Sequence, residues 1–454
     1  MLRLPIHQRV FGQCRETGDC TTVEQKKPKQ KRTRKMANMN RMVDPMAVTW
    51  SERYNKTFER VWAKLPNFLG SFIATAAVFI LGSSIRGDWL LILVHFIKYL
   101  RNGQEDETNS TLSSEGQTLY GDFSLKDYKL EGLPYYILPA MTISYVTYLG
   151  VGGFLHWYYY VRQRDRPEEW KCQPTKWLSP ELERHEILLG SLSLFFGSVL
   201  SGIISCFIMN GGRTFIYYDY ADYGYVWAVL QWPAIFIWQV NSVLLFFLER
   251  SKNDCKFKKN KINSVRQDYL TYWGHRIFHT PFLYKHFHKL HHTYKQPTAF
   301  SVTAIHPVEF LFFQGILISP MFLVPTNWIT MIVLLSYTYY HGIIDHSGIN
   351  FKAYWWQPWQ PNCIFHDNHH QYFHVNFGFN IKYWDTLHGT DRKKDRLYRE
   401  DIFYGHGKSV DDATEGELAQ DMAERESENP LAYDNNQHAY ELKQSDLKTS
   451  KKNK

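Results

Sequence analysis

Fourteen of the twenty histidines in this 454-residue chain fall between residues 275 and 388, and any fold the chain adopts has to place them. Eight stand in three short clusters: HRIFH (His275, His279), HKLHH (His288, His291, His292) and HDNHH (His366, His369, His370). On a helix, spacings of three and four residues put side chains on one face, so each cluster offers two or three imidazoles in a common direction. That is metal-ligand geometry. Neutral imidazole suits iron, copper, nickel and zinc, and a zinc ion takes four protein ligands in a closed site or three in a catalytic one. The clusters exceed the needs of one such ion, and imidazoles buried without partners each carry a desolvation penalty.

Long uncharged stretches surround the clusters. Aromatic residues make up 17% of the chain, and together with these stretches they point to a membrane protein. The mean hydropathy of −0.39 does not contradict this, because polar tails at residues 1–66 and 405–454 lower the average. Apolar segments occupy 68–84 and 89–100, broken by Arg86 and Asp88, while 135–161 and 187–212 are long enough to span with some tilt. Residues 223–248 form a further uncharged run, and 310–325 with 327–344 form an apolar pair around Pro325, a hairpin that dips into the bilayer or crosses it twice. The six cysteines are irregularly spaced without a CxxC pair, which argues against a disulfide framework or a zinc ribbon. No apolar h-region follows the first residues, so insertion is expected to rely on an internal span.

Orientation follows from the basic residues. The net charge of +8 comes largely from Lys26–Lys35 and Arg250–Arg266, and such runs beside apolar spans mark the cytosolic side rather than a nucleic-acid surface. The 101–134 loop holds three Lys/Arg against seven Asp/Glu and a glycosylation sequon at Asn109-Ser110-Thr111, whereas the 162–186 loop holds six Lys/Arg. The first is therefore expected in the lumen and the second in the cytosol, which leaves all three clusters and the C-terminus cytosolic. The chain ends Lys451-Lys452-Asn453-Lys454, the KKxx form of a dilysine signal for retrieval to the endoplasmic reticulum, an address rather than an anchor. Residues 411–446 carry eleven acids against two bases and are expected to be disordered.

The clusters, with IHP at 305–307, NFG at 376–378, YWD at 383–385 and HGT at 388–390, resemble the boxes of the fatty acid hydroxylase and sterol desaturase superfamily over roughly residues 180–395. The resemblance implies a membrane-bound oxidoreductase of lipid metabolism, with two iron ions that activate dioxygen on the cytosolic side of the endoplasmic reticulum membrane. Carried over residue by residue, it makes His275, His279, His288, His291, His292, His366, His369 and His370 metal ligands, with His346 of DHSG as the ninth. Asp345, Asp367, Asp385 and His341 are expected behind them, the carboxylates accepting the outer N–H of ligand imidazoles. His286, His306, His374 and His388 fit structural or supporting roles. The segments ELERHEILLGSLS (181–193), RTFIYYD (213–219) and LYKHFHKLHHTYKQPTAFSVTAIHP (283–307) are similar to the lathosterol oxidase (sterol C-5 desaturase) branch. HSGIN (346–350) and HDNHH are more similar to 4-methylsterol oxidases.

The expected architecture is all-α: a polytopic membrane protein whose transmembrane helices carry a cytosolic, histidine-rich helical cap with a di-metal site. Its parts are a basic cytosolic tail (1–66), transmembrane helices (67–250), a basic insert or loop (251–266), a histidine-box domain with a membrane hairpin at 308–344 (267–395), and a disordered acidic tail (396–454). An unactivated C–H bond offers no acidic proton to a general base, so the oxidant has to come from metal and dioxygen. The expected reaction is C-5 desaturation of a Δ7-sterol, the alternative hydroxylation of a 4-methyl sterol, a fatty acid or a long-chain base. The resemblance implies electrons from NAD(P)H through cytochrome b5 and its reductase, and an acidic carrier would suit Lys256–Lys261. Trp355, Trp356 and Trp359 are expected as interfacial anchors, or as the rim of a sterol entrance. A histidine-rich metal transporter is the main reading from another class, but it would place ionisable residues within several crossing helices, whereas these boxes flank the apolar runs.

Overall fold

The computed structural model describes residues 48–83, 125–240 and 267–433 apart from 356, 358 and 359, together with residue 442. The apolar run at 89–100, the Asn109 sequon, the 251–266 insert with Lys256–Lys261, Trp356, Trp359 and the KKxx end lie outside these residues.

Regular structure among the described residues is predominantly helical. In chain order the main helices are α1 (Val48–Trp62), α2 (Asn67–Ser83), α3 (Pro134–Leu155), α4 (Pro180–Met209), α5 (Tyr225–Val240), α6 (Gln267–Phe278), α7 (Pro281–His286), α8 (Pro307–Ile318), α9 (Trp328–His346), α10 (Ile364–Tyr372), α11 (Tyr383–His388) and α12 (Glu415–Glu426). The described residues also form two short ladders, a parallel pair of Ile216–Tyr217 with Thr326–Asn327 and an antiparallel pair of Arg396–Leu397 with Lys408–Ser409.

Local sequence explains where the helices begin. The Ser179 hydroxyl caps α4 by accepting from the Leu182 N–H, and Pro180 occupies the first turn, where its missing N–H costs nothing. The Asn327 side chain caps α9 through the Ile329 N–H at 3.0 Å. Pro134–Val161 (α3 with its π-helical extension) and α4 hold 28 and 30 residues and are long and apolar enough to cross a membrane. At 1.5 Å per residue they reach ~42–45 Å, beyond a hydrocarbon core of ~30 Å. α2 and α8 are apolar but shorter, at 17 and 12 residues. α3 and α4 pack closely because glycines stand at the contact: a Cβ on Gly202 would sit 2.6 Å from the Ile137 Cα, the small-residue approach seen between membrane helices. The segment 308–344, expected as a membrane hairpin, holds α8 and α9.

The expectation of disorder from 396 onward is corrected over residues 396–433. This stretch forms the antiparallel ladder and α12, which opens with a reciprocal capping box between Thr414 and Glu417. Counting charges misjudged it because several are neutralised by burial in pairs: Arg425 with Asp421 at 2.6 Å, and Arg392 with Glu428 at 2.8 Å.

Candidate metal centre

Four separate pieces of backbone bring the histidines together. His275 lies in the last turn of α6, and the His279 N–H donates to the His275 carbonyl at 3.1 Å, so the helical spacing carries past the helix end. The second cluster departs from the expected α-helix: His288–Thr293 is a 3-10 turn, which still turns His288, His291 and His292 inward. The third cluster lies on α10, and His346 ends α9.

The ring nitrogens converge in two groups. One nitrogen from each of His275, His279, His288 and His369 lies within 4.8 Å of the others, and the same holds for His291, His346, His366 and His370. The remaining expected ligand, His292, belongs to neither set of four but borders both. Its Nε2 is 3.1 Å from His288 Nε2 and 3.3 Å from His279 Nε2, and its ring centre is 5.2 Å from that of His370.

Hydrogen bonds at the outer nitrogens hold these rings in orientation. His275 Nδ1 lies 2.8 Å from the Phe377 carbonyl, His369 Nδ1 2.7 Å from the Val375 carbonyl, and His346 Nδ1 2.7 Å from the Gly342 carbonyl. Each carbonyl accepts, so Nδ1 carries the proton and Nε2 is left as the ligand atom. His288 Nδ1 instead donates to the buried carboxylate of Glu309 at 2.7 Å. His279 Nδ1 lies 2.9 Å from His374 Nδ1, whose Nε2 donates to the Glu400 carbonyl at 2.8 Å. His374 must then accept from His279, so it orients the ring of a candidate ligand.

The three aspartates expected behind the ligands are engaged elsewhere among the described residues. Asp367 accepts from Gln173 at 2.8 Å, and Asp345 neighbours the Cys363 thiol at 3.8 Å. Asp385 accepts the Phe377 and Gly378 N–H groups at 2.8 Å and the Thr390 hydroxyl at 2.7 Å, which fixes the loop whose Phe377 carbonyl meets His275. Backbone carbonyls suffice for this task because the loop after α10 folds back over the rings. Glu309 is the carboxylate that performs the role foreseen for the aspartates, and it follows His306-Pro307 closely enough that the IHP segment could have suggested it. His341 pairs with Gln360 at 2.9 Å and lines a separate cavity of about 110 Å³ with Asp345 and Cys363. His306 caps α8, and His286 contacts Glu59 at 3.2 Å.

The donor set fits a pair of metal ions. Burial lowers the pKa of His275 to about 4 and holds His279, His288, His291, His292, His366, His369 and His370 well below the ordinary histidine value. The rings are therefore neutral, the state a metal requires. Among the described residues, His369 Nε2, both nitrogens of His370, His292 Nδ1 and His366 Nδ1 are buried without a hydrogen-bond partner. Each such orphan costs ~1–3 kcal/mol, and coordination would relieve His369 Nε2 and one nitrogen of His370.

Fold and site together define a histidine-box protein, and comparison places it. Residues 262–390 match the fatty acid hydroxylase family model, so this part of the chain is a fatty acid hydroxylase domain. The chain is 34% identical over 143 residues to a very-long-chain aldehyde decarbonylase of Oryza sativa subsp. indica, covering 28% of this chain and 50% of that protein. It is 32% identical over 145 residues to methylsterol monooxygenase 2-2 of Arabidopsis thaliana (29% and 52% covered). It is 28% identical over 169 residues to the C-4 methylsterol oxidase of Schizosaccharomyces pombe (34% and 48% covered). The chain thus spans about half the length of the curated relatives it matches. No solved structure matches it.

Proposed function

We propose that this protein is a membrane-bound, dioxygen-dependent lipid oxidoreductase with two iron ions held by the histidine clusters. The observation that carries the proposal is the convergence of eight buried imidazoles into two groups of four. His275, His279, His288 and His369 would hold one ion and His291, His346, His366 and His370 the other, with His292 between them. When bound, the ions supply from dioxygen the oxidising power that cleavage of an unactivated C–H bond demands. The protein contributes orientation and dryness. The outer hydrogen bonds fix the rings, and Phe379 stacks on His275 with centroids 4.8 Å apart, which keeps water from that side. Electrons would arrive from NAD(P)H through cytochrome b5 and its reductase. The endoplasmic reticulum membrane, with the clusters on its cytosolic side, is the proposed location, and it agrees with the loop charges.

The proposed substrate is a sterol. C-5 desaturation of a Δ7-sterol is supported by the segments 181–193, 213–219 and 283–307. A second reading, oxygenation of a 4-methyl sterol, is favoured by the relatives named methylsterol monooxygenase and C-4 methylsterol oxidase and by HSGIN at 346–350. Expression in yeast lacking its own C-5 desaturase separates the two. A restored Δ5,7-diene, with its near-ultraviolet absorption, supports desaturation, and new oxygenated 4-methyl sterols support the second reading. Hydroxylated acyl chains or long-chain bases would move the substrate out of sterols, and an unchanged lipid profile from iron-loaded protein would defeat the proposal.

A further inference from the structure

We infer that residues 414–433 form a clasp that positions the third histidine box, with Glu428 as its central positioning residue. The inference rests on the metal reading above. It concerns a part of the chain beyond the family-matched residues 262–390.

At 100° per residue, His366, His369 and His370 share one face of α10, and Asn368, Gln371 and Tyr372 share the opposite one. The clasp grips that opposite face. Gln371 Nε2 donates to the Glu424 carbonyl at 2.9 Å, Asn368 Nδ2 donates to the Tyr433 hydroxyl at 3.1 Å, and the Tyr372 hydroxyl donates to Glu428. Two further donors converge on the same buried carboxylate: Arg392 Nη1 at 3.0 Å and the Tyr433 hydroxyl, both to Oε2. Arg392 Nη2 adds an ion-pair contact 2.8 Å from Oε1. The Arg392 guanidinium also lies over the Tyr372 ring, 3.8 Å from its centre.

The network reaches the ligands by a second route. The Arg392 N–H donates to Asn376 Oδ1 at 2.9 Å, and Asn376 Nδ2 returns to the Phe365 carbonyl at 3.0 Å. Val375, between the end of α10 and Asn376, supplies the carbonyl that orients His369. Asn429 pins the clasp from outside through the carbonyls of Lys171 and Cys172, at 2.9 and 2.8 Å. A helix carrying three ligands has to keep its position to within ~0.5 Å and its rotation to within ~10–20° for a productive metal site. Its inner face offers only imidazoles, so the outer face sets that rotation.

The test uses full-length protein purified in detergent, stripped of metal and titrated with Co²⁺, whose d–d absorption reports ligand geometry. Glu428→Gln leaves Arg392 buried without its counter-charge and is read beside Arg392→Met/Glu428→Met, because replacing a buried ion pair by apolar groups is often neutral for stability. The expected result is wild-type helicity and metal-free unfolding temperature in the double variant, with Co²⁺ bound about tenfold more weakly, as for other losses behind a ligand, and a changed d–d spectrum. Tyr433→Phe, which removes a single hydroxyl, is expected to show the same direction with a shift of a few fold, and it decides the matter if the charge variants do not fold. Wild-type affinity and spectrum in the folded variants would overturn the clasp. Failure of the wild-type protein to take up two Co²⁺ ions would instead overturn the metal reading beneath it.

Discussion

Replacing Glu309 tests the metal centre at a position the histidine pattern does not reveal. Glu309 is 2% exposed, and its Oε1 accepts a hydrogen bond from His288 Nδ1 at 2.7 Å. Among the described residues its Oε2 has no other partner, so the carboxylate is committed to this ring. Glu309→Ala leaves the His288 N–H buried without an acceptor and frees the ring to turn. Loss of a partner behind a ligand histidine typically costs 10–100-fold in metal affinity, which corresponds to ~1.4–2.8 kcal/mol at 1.4 kcal/mol per tenfold. The loss is expected in one of two binding steps, since His288 groups with His275, His279 and His369 and not with the other four. Glu309→Gln keeps an acceptor without the charge and is expected to fall between Ala and wild type. Iron or cobalt titration against a chelator of known affinity resolves the two steps. Equal weakening of both, or affinities within about twofold of wild type, would refute the assignment of His288 to one ion oriented by Glu309.

Alanine at His291 or at His369 is expected to abolish turnover without loss of membrane insertion, and metal analysis should find each lowering occupancy of a different ion; full activity in either removes that residue from the ligand set. The metal-free protein is expected to lose stability as pH falls from about 6.5 towards 4, because burial lowers His275 and His374 from 6.5 to about 4. In that window the unfolded chain binds more protons than the folded one, so the free energy of unfolding, measured by denaturant, decreases on acidification and is regained above pH 6.5. Flat stability across the window would show that these rings are not buried neutral. Gly202→Leu is expected to destabilise the α3–α4 pair by ~1–3 kcal/mol through overpacking, because even a Cβ there meets the Ile137 backbone; thermal unfolding in detergent measures it, and an unchanged midpoint argues against the close approach.

Much of this protein is written in local sequence. The ligand candidates were legible because three- and four-residue spacings repeat in each cluster, and a repeated short-range pattern survives whatever fold surrounds it. The two longest helices were legible because an uncharged run of that length has few other stable homes. Tertiary structure decided what depends on residues distant in sequence. The division of the rings into two groups joins His369 to His288 and His370 to His291, a pairing that no spacing encodes. Support for the rings came from the carbonyls of Val375 and Phe377 and from Glu309 rather than from the aspartates beside the boxes. Backbone acceptors look alike at every position, and only the path of the chain selects which of them faces a ring. The acidic tail shows the same limit: its charges signalled disorder, yet Glu428 is buried against Arg392, 36 residues away. Composition counts charges one by one, whereas folding neutralises them in pairs.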